Sequence, residues 1–389
     1  MRLLLCLFML SLGLFEPGLR AQDSTQTEKK WFIDGYVKDL VTVNMIRGFD
    51  SAWVENQIHH RLNFKWYPSA ELSAFVEIRN RLFWGDFAKN IPIYDQLVDL
   101  NNDVLDLSVV IIDEGSWLLH SMVDRAYVEW NHDDWEVRFG RQRINWGVAL
   151  VWNPNDLFNA FSFFDFDYEE RPGSDGIRIK KYTGFASSFE FASNVTDNFN
   201  ELTSAFLWKI NKGQYDFQFQ LGKALEDVAI GAGWAGNIGD AGFKGEMTYL
   251  QPYTSNEDNP VFLLSLSGDY SFASSLYLHG AFFLNTDGSQ NPDFAFLSQR
   301  LGRLNVRDLS PYIVSTLFQT SYNFTPLING GLATIFYPGS NALFLNPTLG
   351  VSLKENLDLD LIGQFFLDTP NDQYKAVNKF LFLRFKWSY

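Results

Sequence analysis

Three arginines stand close together in the stretch VRFGRQRINWGVALVWNPNDLFNAF, which covers residues 137–161. Arg138, Arg141 and Arg143 lie among Val, Phe and Ile residues, which favour a β-strand. A guanidinium group binds a carboxylate or a phosphate through paired, charge-assisted hydrogen bonds. If one side of this strand faces water, the cluster can bind an anion or hold an acidic segment of the chain in place.

The segment that follows, residues 148–174, combines aromatic side chains with carboxylates. It opens with NPND, in which Asn153 can cap and Pro154 can begin a short helical turn. So many aromatic residues would form a large apolar patch in water. We therefore expect the segment to fold inward and to carry its carboxylates towards the arginines. These acidic residues are Asp165, Asp167, Glu169 and Glu170.

Each of these features also has a simpler interpretation. The arginines could be structural, paired with Glu129, Glu136 or the carboxylates of the segment. The oxygen-rich run DFDYEE could bind calcium, but it lacks a glycine-centred loop of ligands. The segment could also lie across the top of the molecule as a lid. The histidines show no metal-ligand spacing, so we predict neither a metal nor a cofactor.

The first residues of the chain predict export from the cytoplasm. An early arginine, an apolar run and a small residue at Ala21 are typical of a secretory signal peptide over residues 1–21. The only cysteine, Cys6, lies in this peptide, so no disulfide is expected in the remainder. The net charge of −15 argues against a nucleic-acid partner. No linker divides residues 22–389, which we expect to form a single domain.

The elements that carry these residues are predicted from alternation with a period of two. Aromatic residues make up 17% of the sequence, yet no apolar stretch after the signal is long enough for a transmembrane helix. In NQIHHRLNFKW, which begins at Asn56, one side of the strand is largely apolar and the other is polar. The polar sides are too charged for a protein core, and the apolar sides are too continuous for water. A transmembrane β-barrel satisfies both, with lipid outside and water inside.

The strand count and the connections predict the architecture. We expect an all-β, antiparallel, up-and-down barrel of about eighteen strands, within limits of about sixteen and twenty. Short turns alternate with long connections, among them residues 85–115, 148–174 and 286–310. This alternation places the short turns and both termini on the periplasmic side of a bacterial outer membrane. Residues 148–174 then form the third external loop, which we expect to fold into the lumen.

The polar face of each predicted strand should line the lumen. Before Gly140 the charged residues of this strand occupy even-numbered positions, and after it they occupy odd-numbered positions. Such a shift by one residue is typical of a β-bulge and would turn all three arginines inward. Gly231, Gly233 and Gly242 should leave room for an inserted loop or a solute. The predicted pore constriction consists of Arg138, Arg141, Arg143, Arg178, Lys180, Asp165, Asp167, Glu169 and Glu170. The other predicted lumen-lining residues are Gln57, Arg61, Arg79, Arg81, Gln214, Gln218, Asp358, Asp360, Arg384 and Lys386.

Two stretches resemble known protein families. The last strand, with alternating apolar residues and a final Tyr389, resembles the C-terminal strand by which the barrel-assembly machinery recognises Gram-negative outer-membrane barrels. A third loop opposite basic residues resembles the general and substrate-selective porins, whose third external loop folds inward opposite a basic ladder. The run FGRQRINWG is similar to a GRQ…WG strand of single-chain porins related to alginate-export proteins. This resemblance covers one strand closely and the remainder only as barrel architecture.

These patterns predict an outer-membrane porin and not an enzyme. Small polar solutes, anionic or sugar-like, would diffuse passively through a water-filled pore that filters them by charge and size. The acidic chain favours cations, but the arginines at the narrowest point favour an anion. Expected partners are outer-membrane lipid, the solutes and the assembly machinery, and a homo-oligomer is left open. The alternatives are a loop-plugged structural component of an envelope complex and a transporter of hydrophobic substrates.

Overall fold

A computed structural model of the protein describes residues 30–46, 51–99, 103–167, 169–171, 173–253, 259–289, 304–368 and 375–389. The predicted signal peptide, residues 1–21, lies outside these ranges and stays a prediction. Within them, no helix is long and apolar enough to cross a bilayer.

Most of the described residues belong to β-strands. Two short helices, α1 (Asp86–Asn90) and α2 (Tyr94–Val98), and two 3-10 turns, Phe199–Glu201 and Val306–Asp308, lie in the connections. The strands are β1 (Trp31–Ile46), β2 (Ser51–Trp66), β3 (Leu72–Gly85), β4 (Ser108–Glu114), β5 (Trp117–His132), β6 (Trp135–Gln142), β7 (Ser174–Gly184), β8 (Ser187–Asn194), β9 (Thr203–Lys212), β10 (Tyr215–Ala224), β11 (Asp227–Ile238), β12 (Ala241–Pro252), β13 (Val261–Ser271), β14 (Leu276–Asn285), β15 (Val314–Thr325), β16 (Ile328–Tyr337), β17 (Ala342–Lys354), β18 (Leu357–Asp368) and β19 (Lys375–Ser388).

Eighteen of the nineteen strands in the described ranges form one closed antiparallel ring. β1 closes the ring by pairing with both β2 and β19. β3 pairs directly with β5 along its length, so β4 stands outside the ring beside residues 117–122 of β5. The predicted barrel of about eighteen strands is confirmed. Alternation does not reveal β4, because its run VVII, residues 109–112, is apolar without interruption.

The height of the wall is uneven around the ring. β5 has 16 residues, whereas β6 and β8 have 8 residues each. β6 pairs with residues 126–132 of β5, and β4 takes over as the neighbour of β5 beyond the end of β6. The wall between β5 and β9 therefore contains two short strands, β6 and β8, on either side of β7, which has 11 residues, and β4 extends this wall at one edge.

The two faces of the wall differ as the alternation predicts. In β10, Phe217, Phe219 and Leu221 are exposed, whereas Gln218 and Gln220 between them are buried. Because successive side chains of a strand point to opposite faces, the exposed apolar residues form the outer surface of the barrel and the buried polar ones face its interior.

One end of the barrel carries the long connections, together with short ones at residues 225–226 and 338–341. The other end is formed by short turns, which are residues 67–71, 133–134, 185–186, 213–214, 239–240, 272–275, 326–327 and 355–356. The beginning of β1 and the end of β19 lie at this same end. Gln214, predicted to line the lumen, is instead an exposed turn residue with a φ of 67°, because the hairpin places it between β9 and β10.

The predicted strand and bulge around Gly140 are wrong in two details. β6 ends at Gln142, and its pairing with β5 and β7 runs through Gly140 without a register shift. Gly140 has a φ of 118°, which L-residues rarely adopt, and a Cβ there would lie 2.3 Å from the Ala126 carbonyl oxygen. A register shift occurs instead in β5, where Asp124 is the additional residue opposite β3. Beyond the end of β6, the Asn159 side chain accepts the N–H of Ile144 (2.9 Å).

The closing seam is joined by the side chain of the last residue. The Tyr389 hydroxyl passes over Gly35, where a Cβ would lie 2.8 Å away, and donates to the Arg61 carbonyl (3.1 Å). It also lies 3.0 Å from His60 Nε2, and Asn80 Nδ2 lies 3.2 Å from His60 Nδ1. Tyr389 thus links β19 to β2 and β3 across β1, through a chain of hydrogen bonds.

Replacing Tyr389 with phenylalanine should lower the free energy of unfolding by about 1–3 kcal/mol, because it removes the hydroxyl's two hydrogen bonds, to the Arg61 carbonyl and to His60. Thermal unfolding in detergent, followed by the heat-dependent shift on an electrophoresis gel, measures this. Tyr322→Phe is the control, because Tyr322 is 39% exposed on the outer face. Equal losses in the two variants would contradict the proposed contribution of the seam.

Candidate functional site

The connection between β6 and β7, residues 143–173, binds to the polar face of distant strands. Glu246 of β12 holds its beginning, since Oε1 accepts from the Val148 and Ala149 N–H groups and Oε2 from Asn155 N–H (3.0 Å). A Cβ at Gly231 would lie 2.6 Å from Asn155 Oδ1, so this glycine provides the space that Asn155 fills.

Glutamines of β10 complete this attachment. Gln218 donates to the Trp146 carbonyl (2.8 Å) and Gln220 to Asn155 Oδ1 (3.1 Å). The Trp146 indole donates to Glu190 of β8 (2.6 Å). All of these groups are buried. The beginning of the connection is therefore fixed to β8, β10, β11 and β12 by polar contacts that exclude water.

Replacing Glu246 with glutamine should loosen this attachment, because an amide NH₂ cannot accept the Asn155 N–H. The expected cost is about 1–3 kcal/mol, seen as faster hydrogen exchange of the amides of residues 148–155. Glu226→Gln, in an exposed turn, is the matched control. Unchanged exchange in the Glu246 variant would show that the carboxylate does not hold the connection.

Aromatic residues attach the middle of the connection to the opposite part of the ring. Trp152 stacks on Phe283 of β14 with 5.4 Å between ring centroids. Phe164 meets Phe344 of β17 edge to face (4.8 Å), and its carbonyl accepts from Gln364 of β18 (2.9 Å). β14 and β17 flank the strands that stand opposite β6 and β7 in the ring order. Residues 143–173 therefore contact both sides of the ring.

The acidic segment, which we define as Asp165, Asp167, Glu169 and Glu170, reaches the seam. Asp167 lies 3.0 Å from Lys38 Nζ of β1 and 3.6 Å from Arg384 of β19. Glu169 binds Lys386 of β19 (2.7 Å). These carboxylates pair with cations of β1 and β19, which stand four and five strands from β6 along the ring.

Glu170 extends this contact to β2 and β5. Its carboxylate lies 3.6 Å from Arg61, whose guanidinium also binds Asp124 (2.7 Å) and Glu77. Arg125 donates to the carbonyls of Glu170 (2.7 Å) and Arg171 (2.6 Å). We call Lys38, Arg61, Arg384 and Lys386 the cation cluster.

The cation cluster keeps Glu169 ionised. Burial raises the pKa of Glu169, but the hydrogen bond from Lys386 and the charges of Lys38 and Arg384 outweigh it, so the pKa lies below its usual value. A lowered pKa means that the pairs persist at neutral pH and weaken only as the pH falls through that value. The attachment at the seam is thus fully formed at neutral pH.

Asp156 is a buried carboxylate that the sequence did not single out. It is fully buried in the connection, and desolvation raises its pKa well above the usual value, although the Arg143 charge opposes this. Lys38 is the other important group that the alternation did not identify. It stands next to Asp39, so two charges of opposite sign fall on the two faces of β1 and obscure the pattern.

The arginines of the predicted cluster pair mostly with carboxylates of the barrel wall. Arg138 binds Glu129 (2.5 Å) and Glu136 (3.1 Å), in agreement with the structural interpretation. Arg141 binds Asp175 (2.8 Å) and the Leu105 carbonyl (2.5 Å). Asp167, Glu169 and Glu170 lie at the cation cluster instead, because the connection crosses to the opposite strands before its acidic residues.

The remaining predicted residues lie on several strands. Arg178 binds Glu190 (2.7 Å), and Lys180 lies over the Tyr182 ring (4.3 Å). Asp165 acts on Arg171 through its charge. Gln57 and Arg79 lie on the polar face, where Gln57 is half-buried and Arg79 is buried. Arg81, on the same face, donates to the Val98 carbonyl (2.8 Å). Asp358 lies opposite Lys386 in the pairing of β18 with β19, and Asp360 binds Arg384 (3.0 Å).

No protein-family model and no curated protein matches the sequence. Among solved structures, OccAB4 of Acinetobacter baumannii superposes with a TM-score of 0.59 at 10% identity, over 93% of this chain and 99% of that one. OccK11 (OpdR) of Pseudomonas aeruginosa superposes with a TM-score of 0.57 at 8% identity, over 92% of this chain and 96% of that one. The outer membrane protein OpdK of Pseudomonas aeruginosa superposes with a TM-score of 0.57 at 9% identity, over 92% of this chain and 98% of that one. The finer resemblance to porins related to alginate-export proteins stays a prediction. The chain has the closed, eighteen-stranded fold of Gram-negative outer-membrane porins.

Proposed function

We propose that the protein is an outer-membrane porin through which small polar solutes diffuse passively. The observation that carries the proposal is a ring of eighteen strands with an apolar outer face and a charged inner face. A barrel of this size is too wide to be filled by the side chains of its own wall. The apolar outer face suits lipid, and the charged inner face suits water.

Residues 143–173 would narrow this pore. They contact the polar faces of strands on both sides of the ring, which supports a path across the lumen. The narrow zone would then lie where the acidic segment meets the cation cluster, with Arg138, Arg178 and Lys180 further along the wall. Local charges dominate selectivity at a narrow, poorly solvated point. We infer a preference for anionic or sugar-like solutes, which can compete with the acidic segment for these cations. The end of the barrel that carries the turns 67–71 and 133–134, the beginning of β1 and the end of β19 would face the periplasm.

Conductance in planar bilayers, with reversal potentials in a salt gradient, tests the proposal. We expect stepwise ohmic channels with anion preference. Neutralising Arg138 and Arg178 to glutamine should shift the reversal potential towards cations, whereas Arg141→Ala should act on stability, because Arg141 is buried against Asp175. Unchanged conductance and ion preference in Arg141→Ala and Arg143→Ala would remove both arginines from the predicted constriction.

A second candidate is a barrel plugged by its own loops. It is favoured by the buried apolar cluster in which Trp146, Trp152 and Phe164 pack against inward-facing Leu263, Phe283 and Phe344. Such a cluster fills space that a wide pore would leave to water. A plugged structural component would show no conductance, even after deletion of residues 153–170.

A further inference from the structure

The acidic segment occupies the cation cluster in the way that a bound anion would. Asp167 pairs with Lys38 (3.0 Å) and Glu169 with Lys386 (2.7 Å). Arg384 lies between them, 3.6 Å from Asp167 and 3.7 Å from Glu169. These carboxylates come from a connection and not from the wall, so the wall offers cations whose partners can be exchanged.

The cations differ in how much they depend on the segment. Arg61 and Arg384 also bind wall carboxylates, Asp124 (2.7 Å) and Asp360 (3.0 Å). In the described part of the chain, the carboxylates that pair with Lys38 and Lys386 belong to the acidic segment. Lys38 has no exposed side-chain surface. A buried ammonium without a partner is strongly unfavourable, so the segment can leave only if another anion takes its place.

Neighbouring contacts confine the movement to a few residues. Before Asp167, Phe166 packs on Phe382 of β19 with 4.7 Å between ring centroids. At the end of the segment, Arg125 donates to the carbonyls of Glu170 (2.7 Å) and Arg171 (2.6 Å). Glu169 is the most exposed of the three paired carboxylates, at 38%. A solute would therefore displace Glu169 first, while the connection stays attached at both sides.

We propose that the acidic segment is an internal competitor which a compact dianion, such as a dicarboxylate, displaces from Lys38, Arg384 and Lys386. Binding of the dianion would then be coupled to widening of the lumen, because a ligand shifts a conformational equilibrium by its differential affinity for the two states. This regulation rests on the proposed porin function, but the exchange of anions at the cation cluster can be measured without any conductance.

The first test is stability in detergent. The triple variant Asp167→Asn, Glu169→Gln, Glu170→Gln should unfold at a lower temperature than the wild type, and succinate should restore that temperature in a saturable manner. The control carries Asp197→Asn, Glu201→Gln and Glu226→Gln, three exposed acids of the long-loop end, and should respond to succinate no more than the wild type does. Glu169→Gln alone provides the same measurement if the triple variant does not fold. Absence of any succinate effect in these variants would overturn the proposal.

The second test is conductance in planar bilayers. In potassium chloride the triple variant should conduct severalfold more than the wild type, and succinate should reduce its current while increasing that of the wild type. Equal currents in the triple variant and the wild type would overturn the coupling to the lumen. Rescue of stability by succinate without conductance in any variant would support the anion exchange and refute the porin function.

Discussion

Replacing Arg61 with methionine should lower the free energy of unfolding by about 3–5 kcal/mol, the usual cost of removing one partner from a buried ion pair. Arg61 is 1% exposed, and its guanidinium binds Asp124 at 2.7 Å, Glu77 and, at 3.6 Å, Glu170. Methionine keeps most of the volume but removes the nearer cation from Asp124, which is also 1% exposed, and leaves Arg125 beside it at 3.7 Å. Thermal or denaturant unfolding of the detergent-solubilised barrel measures the loss.

Two further variants separate charge from packing at Arg61. Arg138→Met is the matched control, because Arg138 pairs with two carboxylates at a more exposed site, 26% for its side chain. It should cost much less. Adding Asp124→Asn to Arg61→Met should recover part of the stability, since residues in one ion-pair network are energetically coupled. Strictly additive losses would show that the Arg61 and Asp124 charges do not stabilise each other.

Deletion of residues 153–166 should increase the single-channel conductance severalfold. This part of the connection contributes Phe158 and Phe164 to the buried apolar cluster and makes contacts as far as β17 and β18. Without it, the space inside a ring of eighteen strands would be open to water. Planar bilayer recordings at fixed salt measure the change.

Deletion of residues 196–201, which connect β8 to β9 and are largely exposed, is the control for the loop deletion and should leave the conductance unchanged. An equal rise in both deletions would mean that shortening any long connection opens the pore. No conductance in either deletion, in a protein that still shows the heat-dependent shift of a folded barrel, would favour the plugged component.

The barrel was predictable from the sequence because its rules are local. Alternation with a period of two depends on neighbouring residues, and short turns mark the hairpins. In β10 the exposed Phe217 and Phe219 and the buried Gln218 and Gln220 follow this alternation. The exceptions have local causes as well, such as the uninterrupted apolar run of β4 and the turn position of Gln214.

The site could be predicted only in part, because its contacts are not local. Glu169 and Lys386 are 217 positions apart, and no periodicity relates a connection to the strand it will meet. The sequence identified the acidic residues and the basic residues of the wall separately. It joined the acids to the nearest arginines along the chain, whereas the aromatic residues between them carry the connection past β14 and β17 to the seam.

The short strands of one side of the wall have a consequence for the surrounding bilayer. At about 3.3 Å per residue and a tilt of about 40°, a strand of 8 residues rises about 20 Å, less than the apolar band of about 25 Å that an outer-membrane barrel usually presents. Lipid next to β6 and β8 must therefore thin, whereas lipid next to the 16-residue β5 and the 11-residue β7 need not. A mismatch between strand height and bilayer thickness costs free energy, and this cost falls when two barrels share one thinned region of lipid. Barrels of this kind should consequently gather in the membrane with their β6–β8 sides towards one another.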